Sequence, residues 1–292
     1  MLTVHSIEGN RQRLDGGAMF GNCPRAVWEK WAPPDAEGRI ALACRALLVE
    51  EATGSRRPRR VLLETGIGAF FEPKLRERFG VIEPDHVLLA SLASLGLTDA
   101  DIDVVVLSHL HFDHAGGLLS AWSEGEALRL LFPNATFIVG GDALARATHP
   151  HPRDRASFIP GLVEKLAESG RLVIASEATC PQLGERYTLT QTFGHTPGML
   201  HVTVQGDTRA IFFGADLVPG TAWVHVPITM GYDRAPELLV DEKARLFDEL
   251  ASRDTMLFYT HDPVVAASGL SKDASGRFRP KEPQSTLASF NI

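Results

Sequence analysis

Between Val104 and Gly117 the chain reads VVVLSHLHFDHAGG: an apolar run, a serine, then His109, His111, Asp113 and His114 within six positions. Imidazole and carboxylate are borderline donors that suit Zn2+, with Fe, Mn, Co or Ni as substitutes. The apolar run reads as a buried strand, and Gly116 and Gly117 let the chain turn tightly behind it. Residues two apart on an extended backbone point the same way, so His109 and His111 can face one ion. Asp113 and His114 lie past the turn and can face a second. One ion cannot comfortably use all four groups, whereas two ions about 3.5–4 Å apart can share them. A solvated His-rich loop would leave the placement of these residues, straight after an apolar strand, without a reason.

Three later segments repeat a single arrangement, a strand followed by a polar residue and a sharp turn. Phe193-Gly194-His195-Thr196-Pro197-Gly198 presents His195, Phe212-Phe213-Gly214-Ala215-Asp216 presents Asp216, and Leu257-Phe258-Tyr259-Thr260-His261-Asp262-Pro263 presents His261. Each alone is weak, because a single His or Asp at a strand end is usually satisfied structure. Together they are how a rigid scaffold presents ligands. Asp113 and Asp216 are also the carboxylates expected to hold or relay a proton. His5, His86, His149, His151 and His201 lack this context and read as structural. His225 stands apart, since it lies in an irregular stretch after Asp216.

The elements that must position these groups follow from apolar periodicity. Strands are expected at Ile40–Glu50, Arg60–Glu64, Val104–Leu107, Thr136–Val139, Leu172–Ala175, Tyr187–Phe193, Leu200–Gln205, Arg209–Phe213 and Met256–Tyr259. Helices are expected near Pro73–Phe79, His86–Leu95, Gly117–Ala121, Asp142–His149, Ala156–Ser169 and Pro236–Ser252. Helices and strands mix, yet residues 186–213 are nearly all strand. That favours an α+β fold of two facing mixed sheets with helices outside, spanning residues 1–292 as one domain. Residues 15–39 are rich in Gly and Pro and carry Met19, Phe20, Trp28 and Trp31, which reads either as a lid or binding loop or, equally, as a segment packed on its own core or on a second subunit as a dimerisation segment. Exposed aromatics there would be compatible with a homodimer. Residues 218–235 are irregular too. The tail from Ser268 is polar and expected to be partly ordered, and only by docking.

Bulk properties exclude several classes. With 292 residues, 44% hydrophobic and 22% charged, the chain is long enough for a sizeable core. A net charge of −7 argues against a grip on nucleic acid. The basic run Arg56, Arg57, Arg59 and Arg60 is interrupted by Pro58 and reads as a solvated hairpin turn. The start lacks the pattern of a signal peptide, and no run of about eighteen apolar residues suggests a membrane span. Cys23, Cys44 and Cys180 are few, odd in number and far apart, as in reduced thiols, so the cytoplasm is the expected compartment.

The motif HLHFDHAGG (His109–Gly117), GHTPG (Gly194–Gly198), Asp216 and His261 resemble the metallo-β-lactamase superfamily in order and spacing, from Leu62–Gly66 to His261. The resemblance implies a four-layer αββα sandwich and a dinuclear site, with zinc as the expected metal. It implies that His109, His111 and His195 bind one metal, that Asp113, His114 and His261 bind the other, and that Asp216 bridges both. One departure is Glu64, which stands before Thr65-Gly66 where many relatives have Asp. The chemistry implied is hydrolysis by a hydroxide formed at neutral pH between two cations, with no Ser or Cys nucleophile.

The superfamily hosts many substrates, so the site must decide among them. A flavodiiron protein would usually have Glu where His111 stands, and a secreted β-lactamase would need a signal peptide. LDGGAMFG (Leu14–Gly21), Pro33–Ile40 and MGYD (Met230–Asp233) are similar to N-acyl homoserine lactonases that quench quorum sensing, and to methyl-parathion-hydrolase-like enzymes. A small-molecule ester or lactone is therefore the expected substrate, with lactonase first. Phosphotriester or aryl-ester hydrolase and glyoxalase II-type thioesterase follow. An iron persulfide dioxygenase and a non-catalytic metal-stabilised binding protein stand further off. Met19, Phe20, Trp28 and Trp31 are the candidate apolar wall. Several lactonases carry a tyrosine three residues after the bridging Asp; here that residue is Pro219, and Tyr232 or His225 is the candidate replacement.

Overall fold

The computed structural model describes residues 2–292 apart from 53, 55, 56 and 177. One sheet has the strand order Phe290–Asn291, Leu2–Ile7, Ala46–Glu51, Arg59–Leu63, Val104–Leu107, Thr136–Gly140 and Leu172–Ala175. The second runs Phe278–Gln284, Ala267–Lys272, Met256–Phe258, Ala210–Phe213, Met199–Gln205 and Tyr187–Thr192. Gln12–Asp15 and Arg39–Leu42 form a separate antiparallel ribbon.

Alternation along the strands explains the layering. Successive side chains leave opposite faces of a strand. Leu47, Val49, Val61, Leu63, Val104 and Val106 pack against Leu200, Val202, Ile211 and Phe213 of the second sheet. Their neighbours Leu48, Leu62, Val105 and Leu107 pack instead beneath Leu88, Leu92, Leu162 and Leu166, on the helices Val87–Ser94 and Leu162–Glu168. Val104–Leu107 is apolar throughout because both its faces are buried. The helix Pro236–Ser252 covers the second sheet with Leu239, Phe247 and Leu250. The result is the four-layer α+β sandwich that the pattern predicts.

Each sheet contains a parallel pair that matters for the site. Arg59–Leu63 runs parallel to Val104–Leu107, and Ala210–Phe213 runs parallel to Met256–Phe258. Glu64, Ser108, Asp216 and His261 all follow the carboxyl ends of these four strands. Ligand sites in open α/β sheets form outside such ends.

Several expectations need correction. The predicted strand Ile40–Glu50 breaks at Ala43–Arg45, where the Ala43 and Arg45 amides donate to the His261 and Thr260 carbonyls. Gly117–Ala121 is not a helix: one 3-10 turn at Gly116–Leu118 leads to an isolated bridge between Leu119 and Leu130. A Cβ on Gly117 would lie 2.1 Å from the Thr65 carbonyl oxygen, so the turn packs against the neighbouring backbone. The helix expected at Ala156–Ser169 starts only at Leu162, after Gly161 at φ 78°. The polar tail is built into the fold, since Ala267–Lys272 and Phe278–Gln284 complete the second sheet and Phe290–Asn291 pairs with Leu2–Ile7.

Of the two readings of residues 15–39, packing on the chain's own core is the one that three of its four large side chains follow. Met19, Phe20 and Trp28 are buried in the main core, and Phe20 stacks on Trp28 at 5.5 Å and on Trp223 at 4.6 Å. Only Trp31 among the four remains exposed. The exposed-aromatic ground for a homodimer therefore fails. In the basic turn, Arg59 pairs with Glu51 and Arg60 with Glu50 across the hairpin, and Arg57 with Asp103; Arg56 lies outside the described residues. No helix among the described residues is long and apolar enough to cross a membrane.

Candidate metal centre

All seven residues singled out by the sequence converge at the edge shared by the two sheets. His109 follows the end of Val104–Leu107, and Asp113 and His114 sit in the single turn Phe112–Ala115. His195 leaves the strand Tyr187–Thr192, Asp216 opens from a 3-10 turn after Phe213, and His261 follows Met256–Phe258. Six of them are buried, and Asp113 is partly open to solvent.

Their donor atoms fall into two groups. In the first, His109 Nε2 lies 3.0 Å from His111 Nδ1, His195 Nε2 lies 3.4 Å from His111 Nδ1, and Asp216 Oδ2 lies 3.1 Å from His195 Nε2. In the second, His114 Nε2 and His261 Nε2 are 3.2 Å apart, with Asp113 Oδ2 3.7 and 3.6 Å from them. The other oxygen of Asp216, Oδ1, lies 3.3 Å from His114 Nε2 and 3.1 Å from His261 Nε2. One carboxylate thus faces both groups, one oxygen to each. Donors about 2.0–2.1 Å from a tetrahedral ion are about 3.3 Å from one another, so these separations suit one ion per group.

Hydrogen-bond direction fixes which ring nitrogen is free. His114 Nδ1 donates to Glu64 Oε2 at 2.9 Å, His195 Nδ1 to Asp233 Oδ1 at 2.8 Å, and His261 Nδ1 to the Ala43 carbonyl at 2.7 Å. The Ser108 hydroxyl donates to Glu64 Oε1, so it can only accept from His109 Nδ1, 2.8 Å away. Each of these four rings therefore turns the lone pair of Nε2 towards the centre, as ligating histidines do. His111 differs: Nδ1 faces the group, and its buried Nε2 has no hydrogen-bond partner among the described residues.

The charges ask for cations. Among the described residues no Lys or Arg pairs with Asp113 or Asp216, and buried Asp216 Oδ1 lacks a hydrogen-bond donor. Burial disfavours charge on His114, yet Glu64, Asp216 and Asp113 hold its pKa well above the ordinary value. His261 is raised in the same way, with burial opposed by Asp216. Burial would raise the Asp216 pKa, but His114, His195 and His261 hold it well below the carboxylate range. His109 and His111 are pushed well below by burial and then by neighbouring histidines, so they stay neutral donors. The donor set fits a pair of divalent ions.

The family model of the metallo-beta-lactamase superfamily matches residues 56–261. The chain belongs to the metallo-β-lactamase superfamily. Within it, the chain is 28% identical over 249 residues to a probable metallo-hydrolase, Rv2300c, of Mycobacterium tuberculosis, covering 77% of this chain and 73% of that one. An N-acyl homoserine lactonase of Bacillus thuringiensis is 26% identical over 198 residues, 67% of this chain and 68% of the relative. A solved structure of a probable metal-dependent hydrolase from Staphylococcus aureus superposes with a TM-score of 0.83 at 26% identity, covering 96% and 97% of the two chains. The protein is a metallo-hydrolase of this superfamily.

Beside the two groups a cavity of about 220 Å³ reaches Asp113, Asp216 and His261. Of the expected substrate residues it takes in Met19 and Tyr232. Phe20 and Trp28 belong to the core, while Trp31 and His225 border a separate hollow beside Phe278 and Arg279. The apolar wall is instead Leu14, Met19, Leu42, Phe79 and Phe112. Phe112 stands inside HFDH and could have been read from it; Leu14 and Leu42 reach the site only through the ribbon that pairs them nearby. The residues that orient His195 and His261, Asp233 and Ala43, were missed because they lie far away in sequence.

Proposed function

We propose that the protein is a dinuclear hydrolase opening a small ester or lactone, with N-acyl homoserine lactones as the first substrate class. The observation that carries this reading is Asp216, whose two oxygens face two separate groups of donors. On this reading His109, His111 and His195 would hold one ion, Asp113, His114 and His261 would hold the other, and Asp216 would serve both. Zinc suits the imidazole-rich set best. Bound cations supply Lewis acidity and lower the pKa of water towards neutrality. Asp113 and Asp216, both on the cavity, are placed to take the proton released when water adds to the carbonyl. The wall from Leu14 to Phe112 receives an acyl chain and excludes water. Free Cys23, Cys44 and Cys180 support a reducing, cytoplasmic setting.

Tyr232, on the cavity, is the candidate for the work of the lactonase tyrosine; His225 is not, since it faces another hollow. A second reading, aryl-ester or phosphotriester hydrolase, is favoured by Pro219, which leaves no hydroxyl at the lactonase position. The test is ring opening of N-hexanoyl and N-dodecanoyl homoserine lactones, followed by proton release, before and after chelation and zinc addition. Zinc-dependent turnover is expected. Turnover of 4-nitrophenyl esters or diethyl 4-nitrophenyl phosphate without lactone opening would assign the second reading. Failure of every substrate with two bound metals would overturn both.

A further inference from the structure

The segment MGYD continues into Arg234, and Arg234 has a donor without a use. Its backbone amide donates to the His195 carbonyl at 3.1 Å, which ties the residue to a candidate ligand. Its Nε and Nη2 both donate to the Tyr232 carbonyl, at 3.1 and 2.8 Å. Nη1 is buried and has no hydrogen-bond partner among the described residues. The side chain lines the cavity together with His111 and His195, and also lines a wider hollow of about 740 Å³ that adjoins it.

Charge at this mouth does not balance. Arg146, Arg153 and Arg234 meet here, with Asp154 and Asp233 as the nearby carboxylates. Asp154 takes both the Nε and the Nη2 of Arg146, at 2.9 and 2.7 Å. Asp233 is occupied by His195 Nδ1 and by the Met230 amide. Among the described residues the Arg153 guanidinium finds the Gly231 carbonyl, at 3.0 Å, and that of Arg234 the Tyr232 carbonyl, with no carboxylate on either. Two guanidinium groups on the lining of the cavity are therefore left without a carboxylate partner among the described residues. A guanidinium offers a planar fork matched to an oxyanion.

We propose that Arg234, with Arg153 beside it, forms an oxyanion subsite at the cavity mouth, so that the substrate carries a carboxylate or phosphate remote from its scissile bond. The proposal rests on the reading of this cavity as a hydrolase substrate site; N-acyl homoserine lactones carry no such group, so it ranks acidic esters and lactones above them. Arg234 and Arg153 determine specificity here and take no part in bond breaking.

Two measurements separate the failure of this proposal from that of the hydrolase reading. The first needs no turnover. Calorimetry on zinc-loaded protein compares hexanoate, adipate and 6-phosphonohexanoate, which share one carboxylate for the metals and differ at the far end. Adipate or the phosphonate is expected to bind about tenfold tighter than hexanoate, the scale of one charge-assisted hydrogen bond. Whichever is tighter identifies the oxyanion. The advantage is expected to vanish in Arg234→Gln, to shrink in Arg153→Gln, and to return in part in Arg234→Lys. The second compares kcat/KM for the 4-nitrophenyl monoester of adipic acid with that for 4-nitrophenyl hexanoate. Arg234→Gln is expected to lower the charged-to-neutral ratio about tenfold. Equal binding of the three acids in the wild type, or an advantage that survives Arg234→Gln, would overturn the subsite even if esters are cleaved.

Discussion

Glu64 Oε2 accepts the hydrogen bond of His114 Nδ1 at 2.9 Å, from a backbone held at φ 65°. That conformation is costly for a residue with a side chain, and it persists where the surroundings over-determine it. Here they do so through the other oxygen, Oε1, which takes the Ser108 hydroxyl and through it orients His109. One fully buried carboxylate therefore aims a histidine of each donor group. The glutamate that departs from the usual aspartate is the hub of the centre.

The first prediction follows from that hub. Glu64→Gln keeps the length and one acceptor but loses the charge, and Glu64→Asp falls short of both partners. Metal affinity, measured by competition with a chromophoric chelator, is expected to fall about 10–100-fold in each. Affinity unchanged in Glu64→Asp would show that the long arm is incidental.

Asp216 gives the second. Because its Oδ2 faces His195 while Oδ1 faces His114 and His261, Asp216→Ala removes a donor from both groups at once. Elemental analysis of the purified variant is expected to show less than one metal per chain, with hydrolysis lost in parallel. Two retained metals would end the bridging assignment.

These centres were legible from sequence because the scaffold writes them locally. Three histidines and an aspartate follow one strand, and the apolar run before them reports burial on both faces. What orients them was not legible. Asp233 reaches His195 across 38 positions and Ala43 reaches His261 across 218, and no periodicity encodes either meeting. Leu2–Ile7 was missed because a short strand with His5 and Ser6 looks polar, and the tail because edge strands such as Phe278–Gln284 show solvent a polar face. The break at Ala43–Arg45 has a similar cause: the backbone of Thr260 and His261 captures the chain.

A third prediction concerns Lys243, buried on the helix Pro236–Ser252, where its Nζ donates to the Trp223 carbonyl at 3.0 Å and to that of Ile228. Burial lowers its pKa from 10.5 to about 7, with Asp233 opposing. Between those values the unfolded chain holds a proton that the native state lacks, so this group makes stability rise with pH from about 7 to 10.5. Below about 7 both states are protonated and the penalty levels off. The contribution is up to about 1.4 kcal/mol per pH unit. Lys243→Met removes it, so the urea-unfolding free energy of the wild type is expected to gain on that of the variant between pH 7 and pH 9.5. Parallel curves would sink the idea.

The fourth separates two aromatics that look alike in sequence. Trp28 is 3% exposed and stacks on Phe20 within the core, whereas Phe112 lies on the cavity wall beside Asp113. Trp28→Ala leaves a core void, and a loss of about 3–5 kcal/mol in unfolding free energy is expected, with KM little changed in the fraction that stays folded. Phe112→Ala removes part of the surface offered to an acyl chain, at a place where the cavity already breaks the packing. Its main effect is expected on substrate: KM for N-dodecanoyl homoserine lactone, or for the long-chain ester that replaces it, rises about tenfold, as two buried methylenes would require. Short-chain substrates, which offer less apolar surface to that wall, are expected to change less. The decisive quantity is the ratio of long-chain to short-chain kcat/KM. A ratio that falls in Trp28→Ala and holds in Phe112→Ala would mean that Trp28, and not Phe112, lines the path of the acyl chain.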